Sequence, residues 1–156
     1  MKIESLKGEG LYYHRPYGIA LRKMGPFVFV QGIIATDPKT GKLIKDLDDL
    51  PEEIKQKLSS GDIHLDTLEG PIKAQTWMCL QILTGLLESV GSSLENILQM
   101  LVFIKDMRSN WEAFNKVRMM MIKNPPPNTL AETPCLGRTD DVLIEMHVIA
   151  GVPDKE

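Results

Sequence analysis

The amino-acid sequence predicts an α+β fold in which two long helices lie on one side of a β-sheet. Two stretches carry this prediction. Residues 142–150, VLIEMHVIA, alternate their side chains with the two-residue period of a strand, whereas residues 71–90 repeat apolar side chains at the three- and four-residue spacing of a helix. Along the chain the elements follow as strands, helix, strand, helix and strands, which is the order of a layer of helices on a sheet.

The first elements are two strands within residues 17–33, joined by a turn at residues 24–26. Strict alternation divides the second strand between two faces, with Val28, Val30 and Gly32 on one and Phe27, Phe29 and Gln31 on the other. A further turn is predicted at residues 36–43, where Pro38 presets φ and Gly41 can adopt the left-handed conformation.

A short helix and a long one are predicted next. The short helix covers residues 47–61, since Asp49 and Glu52 have the spacing of a capping box. Residues 62–71 are predicted to form a loop, after which the long helix runs over residues 71–90.

The C-terminal half is predicted to hold a strand, a helix and a last strand. Residues 97–105 are largely apolar and are predicted to form a strand buried on both faces. Ser109 is predicted to cap the second long helix, whose buried face carries Trp111, Phe114, Val117 and Met121. The prolines at 125–127 end that helix. The last strand directs Ile144, Met146, Val148 and Ala150 to one face and Leu143, Glu145, His147 and Ile149 to the other.

The composition is that of one ordinary globular domain of 156 residues. A net charge of -3 predicts against a nucleic-acid partner, because binding one needs clustered Lys and Arg. The opening MKIESLKGEG lacks the apolar core of a signal peptide, and no apolar run approaches the roughly 20 residues that span a bilayer. We therefore expect a cytoplasmic protein without a membrane segment, with Cys79 and Cys135 as buried, reduced thiols.

The sequence contains none of the motifs that are typical of a metal site or of a phosphate-binding cofactor. Its three histidines, His14, His64 and His147, form no metal-binding pair, and no glycine-rich phosphate loop occurs. We therefore predict neither metal nor cofactor. A nucleophilic Cys135 activated by His147 is the least favoured chemistry, since the two residues would have to meet in the folded chain.

Polar residues at strand ends and after the prolines are the remaining candidates for a site. They are Tyr17, Gln31, Asn128, Thr129 and Glu145. One interpretation makes Glu145 a solvated or interface-paired strand residue and Asn128 a turn residue. The other places the Glu145 carboxylate on a concave face of the sheet, next to the loop held rigid by the prolines at 125–127, where it positions a water or a ligand.

Five stretches of the chain resemble the RidA family, also called YjgF or endoribonuclease L-PSP-like proteins. RPYGIALRKMGPFVFVQGIIATDPKTGKL resembles the family's opening, and AQTWMCLQILTGLLESVGSSLENILQMLVFIKDM with WEAFNKV resembles its central run. PPNTL and VLIEMHVIA resemble its PAR[ST] and IEIEAIA ends. The resemblance covers most of the chain outside residues 44–70, which look like an insertion within a single domain spanning residues 1–156.

The resemblance implies a chorismate-mutase-like, ferredoxin-related fold that assembles as a homotrimer with small-molecule clefts between subunits. It also implies hydrolysis of reactive imines and enamines, such as 2-aminoacrylate, to keto acids and ammonia. Older family names refer to an endoribonuclease or a translation inhibitor.

Carried over by motif, Glu145 matches the glutamate beside the activated water and is the predicted catalytic residue. The predicted cleft residues are Tyr17, Gln31, Gly32, Trp111, Asn128 and Thr129. Five positions depart from the family: Gly18 and Gln31 stand where it has serine, and Ile33 stands where it has glutamine. His147 replaces the second glutamate of IEIE, and Asn128 stands where the family's arginine grips the substrate carboxylate.

A neutral amide cannot replace a guanidinium fork, because charge-assisted hydrogen bonds are about twice as strong as neutral ones. Either Arg15 or Arg22 supplies the missing cation, or the ligand is not a 2-imino acid. Three hypotheses therefore remain open: an imine or enamine hydrolase with altered substrate choice, a non-catalytic metabolite-binding protein, and an endoribonuclease, which the acidic charge disfavours.

Overall fold

Six strands of the described residues form one mixed sheet, and two long helices lie on one of its faces. A computed structural model describes residues 2–7, 20–137 and 139–154. The strands are β1 (Ile3–Leu6), β2 (Leu21–Met24), β3 (Phe27–Ile33), β4 (Ile97–Ile104), β5 (Asn128–Glu132) and β6 (Ile144–Gly151), and the helices are α1 (Glu52–Leu58), α2 (Ile63–Glu88) and α3 (Met107–Met121). This arrangement confirms the predicted α+β class with its two long helices.

The last strand of the chain lies inside the sheet. The strand order is β1-β2-β3-β6-β4-β5, in which β4 and β5 are parallel and every other pair is antiparallel. β6 therefore has a strand on each side, and its side chains are held between those of β3 and β4.

The two faces of the sheet differ in burial. The face under the helices is fully buried, and it is formed by Val28, Ile33, Met100, Val102, Ile104, Ile144, Met146 and Ala150. We call the other side the open face; there the side chains of β6 and of Leu101 and Phe103 on β4 are only partly buried, and Phe27, Phe29 and Gln99 are exposed. The prediction that residues 97–105 are buried on both faces is therefore wrong for this chain taken alone.

The long helix α2 begins eight residues earlier than predicted, so the prediction of a loop at 62–71 is wrong. Asp62 caps it by accepting hydrogen bonds from the main-chain N–H groups of His64 and Leu65 at 2.9 and 3.1 Å. Pro71 lies inside the helix, although it lacks a donor for the turn before it. The cap and the burial of the next turns against the sheet outweigh this local signal.

The predicted short helix at 47–61 is shorter and differently capped. A 3-10 turn at Leu47–Asp49 precedes α1, and its capping box joins Asp46 with Asp49 rather than Asp49 with Glu52. In the first turn of α2, burial raises the pKa of Asp66, but hydrogen bonds from Ser59 and Ser60, which lie between α1 and α2, outweigh burial and lower the pKa to about 2. Through these hydrogen bonds, the ionised carboxylate of Asp66 stabilises the connection between α1 and α2.

Helix α3 begins at Met107, two residues before the predicted cap. Asp106 precedes it in the left-handed conformation with φ of 46°, and Ser109 lies within the first turn, so the predicted Ser109 cap is wrong. Phe114 and Val117 are buried as predicted, whereas Trp111 is 52% exposed and does not belong to the buried face.

A buried glutamine fixes the entry to β6. Gln75 on α2 is fully buried; its amide nitrogen donates to the Asp141 carbonyl at 2.7 Å, and its amide oxygen accepts from the Leu143 N–H at 2.9 Å. One side chain therefore satisfies two main-chain groups directly before the strand that carries Glu145.

We expect Gln75→Leu to lower the free energy of unfolding by about 2–6 kcal/mol, because two main-chain groups would lose their partners at roughly 1–3 kcal/mol each. Urea denaturation of both proteins measures this loss. Gln56→Leu is the control, since Gln56 is exposed and bonds only to Glu52 on the same helix. Equal effects of the two substitutions would contradict the role given to Gln75.

The two cysteines lie in different environments. Cys79 is buried as predicted, whereas Cys135 is exposed in the segment between β5 and β6, so the prediction of a second buried thiol is wrong. No helix in the described part of the chain has the length and apolar character needed to cross a membrane.

Candidate functional site

A carboxylate and an imidazole lie side by side on the open face of the sheet. The alternation along β6 directs Glu145 and His147 to this face, as predicted, and Glu145 Oε1 lies 2.8 Å from His147 Nε2. The two side chains are 26% and 37% exposed, so neither is fully solvated. A half-buried carboxylate held in one orientation can accept a proton from a bound water.

A β-bulge in β3 lies directly beside this pair. Val30 pairs with Val148 and Ile33 with Met146, so that two residues, Gln31 and Gly32, oppose His147 alone. The bulge interrupts the alternation and corrects the predicted face of Gly32, which lies against the open-face pair and not with Val28 and Val30.

Gly32 approaches the pair so closely that no other residue fits without a shift. A Cβ built on Gly32 would lie 2.0 Å from Glu145 Oε1 and 2.8 Å from the Cε1 and Nε2 atoms of His147. The backbone of β3 therefore forms one wall of the site, as a glycine within a strand often indicates.

Aromatic and apolar side chains form the rest of the surroundings. Phe103 on β4 is the cross-strand partner of Glu145 on β6. Its ring contacts the His147 ring edge-to-face, with 5.7 Å between the ring centroids. Beyond His147 a groove of about 200 Å³ continues over the open face, lined by Phe29, Val30, Gln99, Leu101, His147, Val148 and Ile149. The pair thus stands at the end of a largely apolar groove.

The register of β5 decides which residue after the prolines faces this site. Leu101 pairs with both His147 and Thr129, whereas the buried Met100 pairs with Asn128. Because residues opposite each other in a sheet share a face, Thr129 lies on the open face and Asn128 on the side of the helices. Of these two predicted cleft residues, Thr129 and not Asn128 therefore shares the open face with Glu145 and His147 within one chain.

Within one subunit, one other predicted cleft residue is not brought to this pair. Trp111 is on α3, on the other side of the sheet from Glu145 within one subunit. Tyr17 and Arg15 lie outside the residues that the structure describes.

Cations on the open face lie away from the pair. Arg22 pairs with Phe29, which in turn pairs with Ile149, so Arg22 is on the open face but two strands from β6. Lys105 follows β4, and its ammonium donates to the Asp140 carbonyl at 2.9 Å. Neither is recorded in contact with Glu145 or His147 within the part of the chain that the structure describes.

The described residues offer no metal ligand cluster of three or more His, Cys, Asp or Glu side chains. Burial, reinforced by the charge of Glu145, raises the pKa of the Cys79 thiol far above its usual range. Its sulfur lies 3.5 Å from the Ile33 carbonyl and donates to it just after the bulge. Cys79 is therefore a structural thiol behind the site and not a nucleophile.

Sequence reasoning identified Glu145 and the neighbouring His147, but it did not find the bulge or the register of β5. The signal for the bulge was present, since a glycine inside a strand often marks one. No comparable local signal distinguishes Asn128 from Thr129, because among the described strands β5 pairs only with β4 and its register depends on the fold.

Comparison with known proteins gives consistent results. The family described as Endoribonuclease L-PSP matches residues 58–152. A RutC family protein of Pyrococcus horikoshii is 31% identical over 136 residues, covering 86% of this chain and 86% of that protein. A RutC family protein of Pyrococcus abyssi is 30% identical, over 86% of this chain and 85% of its own length.

Solved structures share the fold. A candidate endoribonuclease of Klebsiella pneumoniae superimposes with a TM-score of 0.80 at 26% identity, covering 86% of this chain and 98% of that one. A Rid family protein of Yersinia pestis superimposes with a TM-score of 0.73 at 19% identity, covering 97% of this chain and 100% of that one. With its matched segment, its relatives and its fold in agreement, the chain belongs to the endoribonuclease L-PSP family, also called the RidA or YjgF family.

Proposed function

We propose that this chain forms a homotrimer whose inter-subunit clefts bind a small metabolite, and that Glu145 activates a water there to hydrolyse a carbon–nitrogen double bond. The observation that carries this proposal is the half-buried carboxylate of Glu145 on the open face, held against Gly32. By the family resemblance, Glu145 occupies the motif position of the glutamate that lies beside the activated water.

The open face supports an interface between subunits. Phe27 and Phe29 expose 43% and 42% of their surface there, and Leu101, Phe103 and Ile149 are only partly buried. An apolar surface of this kind on a small domain usually marks an interaction site. An assembly that covers part of it would turn the groove beside His147 into an enclosed cleft.

The proposed chemistry uses one water and one proton acceptor. The water oxygen attacks the imine carbon while a water proton passes to the Glu145 carboxylate, and the imine nitrogen takes up a proton. The resulting carbinolamine loses ammonia when its nitrogen is protonated again and its hydroxyl proton is removed. The balance is one imine and one water consumed, and one carbonyl compound and one ammonia released.

Within the described residues, no guanidinium lies opposite the site. Thr129 and Asn128 are both neutral, and the described arginine on the open face, Arg22, lies two strands from β6. Binding a carboxylate in a partly buried cleft without a charged donor is unfavourable. We therefore propose an imine without a carboxylate, or with one that reaches Arg22, as the preferred substrate.

The test compares two imines generated in the assay. Butan-1-imine is produced from butylamine by an amine oxidase, and 2-iminopropanoate from alanine by an amino-acid oxidase. We expect the protein to accelerate carbonyl formation from butan-1-imine over spontaneous hydrolysis, and to act more weakly on 2-iminopropanoate. Acceleration of neither imine would overturn the hydrolase proposal and favour a non-catalytic metabolite-binding protein.

We expect Thr129→Arg to raise the rate on 2-iminopropanoate about 10-fold or more, because a hydrogen bond to a charged partner is worth roughly 1.5–3 kcal/mol. Asn128→Arg is the matched control, since the register places it on the side of the helices. The same increase in both variants would show that the register does not decide which side chain reaches the ligand.

A further inference from the structure

The Glu145–His147 pair does not serve as a link between elements of the fold. Both residues belong to β6, two positions apart, so their contact at 2.8 Å joins nothing that the strand does not already join. Ion pairs that remain partly exposed contribute only about 0–1 kcal/mol to stability. Stability alone therefore gives little reason for this arrangement.

The surroundings nevertheless hold the pair in one geometry. Gly32 leaves room for the carboxylate and the ring where any Cβ would collide with both, and Phe103 supports the ring from the other side at 5.7 Å. The walls on β3 and β4, formed by Gln31, Gly32, Leu101 and Phe103, contain no charged group. The charged groups on this face within the described ranges, Arg22 and Lys105, are directed elsewhere.

The pair also stands where a ligand would have access to it. His147 lines the groove of about 200 Å³, whereas Glu145 lies beyond the ring beside Gly32. The Nε2 atom of His147 is hydrogen-bonded to Glu145, and the other ring nitrogen, Nδ1, makes no hydrogen bond to any residue of the described ranges. The imidazole thus has one nitrogen hydrogen-bonded to the carboxylate, and within the described ranges its other nitrogen is free to contact a ligand.

We propose that Glu145 and His147 form a carboxylate–imidazole dyad in which His147 is a second catalytic residue that carries protons to and from the substrate nitrogen. This inference rests on the proposed imine hydrolysis. Glu145 takes a proton from the attacking water while His147 gives a proton to the imine nitrogen, which forms the carbinolamine. Glu145 then passes its proton to His147, which gives it to the nitrogen as the carbon–nitrogen bond breaks and ammonia leaves. The hydroxyl proton of the carbinolamine returns to His147, so two protons are taken and two are given, and both residues end the turnover in their starting states.

The proposed dyad predicts different behaviour for two substitutions of His147. In His147→Gln the amide can still donate a hydrogen bond to Glu145, but it cannot transfer a proton. In His147→Ala both functions are lost, and added imidazole can replace the missing ring in solution. His64→Gln is the control, because His64 is exposed in the first turn of α2.

The experiment measures hydrolysis of butan-1-imine, together with molecular mass and melting temperature, for the four proteins. We expect His147→Gln to lose about 100-fold or more of the rate while mass and melting temperature are retained, since general acid–base catalysis contributes about 10²–10⁴-fold. His147→Ala should lose as much and regain part of it with imidazole, and His64→Gln should match the wild type.

The outcomes separate the dyad from the hydrolysis on which it rests. A wild-type rate in His147→Gln would overturn the dyad and leave hydrolysis by Glu145 in place. An inactive His147→Ala that imidazole does not restore would give the ring a structural role and also overturn the dyad. A wild-type protein that accelerates hydrolysis of neither imine would remove the proposed function and the dyad together.

Discussion

Gly32→Ala is expected to abolish hydrolysis of butan-1-imine while leaving the chain folded. The added Cβ would lie 2.0 Å from Glu145 Oε1, so one of the two groups must move. The carboxylate is the end of a flexible side chain and turns away more easily than the backbone of β3. We therefore expect the rate to fall by about 10²–10⁴-fold, which is the range that general acid–base catalysis contributes.

The backbone at Gly32 does not itself require glycine, since its φ is not among the positive values found in the chain. The substitution therefore tests the approach of Gly32 to the pair and not a backbone strain. Melting temperature and molecular mass should stay close to those of the wild type, because Glu145 is partly exposed and can find another orientation.

Gly151→Ala on β6 is the matched control. A Cβ at Gly151 meets only the Asn96 carbonyl oxygen at 3.9 Å, which is an ordinary contact, and the rate should not change. An active Gly32→Ala protein would show that Glu145 does not need its observed position for the reaction. An unfolded one would make Gly32 a requirement of the sheet.

The periodic parts of the fold could be predicted from sequence because a single strong pattern decided them. Ile144, Met146 and Val148 alternate with Glu145 and His147 without interruption, and the strand, its two faces and the carboxylate–imidazole neighbourhood followed from that. In the same way the apolar spacing after Pro71 predicted most of α2.

Local signals failed where contacts distant in sequence decide the structure. Pro71 normally breaks a helix, yet α2 runs through it because the turns on both sides are capped or buried. Trp111 looked like a core residue by its spacing, but burial on α3 is carried by Phe114 and Val117, and the tryptophan remains outside. Helical spacing cannot tell the centre of an apolar face from its margin.

The candidate site was predicted only in part, because strand pairing decides which side chains share a face of the sheet. Alternation places side chains correctly only as long as each residue has one partner, and the bulge at Gln31 and Gly32 gives two residues to His147. Likewise the choice between Asn128 and Thr129 depends on the pairing of β5 with β4. Both facts belong to strand pairing, which no short stretch of sequence encodes.

Phe29→Lys is expected to dissociate the protein into single chains. The wild type should have a mass of about three times the 17.5 kDa of one chain, and the variant should fall to about one chain in light scattering. Phe29 is 42% exposed on the open face, between Arg22 and Ile149. A lysine there would bring a charge into an apolar interface beside an existing cation, and a charge buried without a partner is strongly unfavourable.

The control for this prediction lies on the opposite side of the molecule. Trp111→Lys changes an equally large and even more exposed apolar residue, at 52%, on the side of the helices, and should leave the mass unchanged. Because the proposed cleft lies between subunits, Phe29→Lys should also lose hydrolysis of butan-1-imine, although Glu145 and His147 are intact. A wild-type mass near 17.5 kDa, or dissociation by Trp111→Lys alone, would show that the open face is not the surface by which the chains associate.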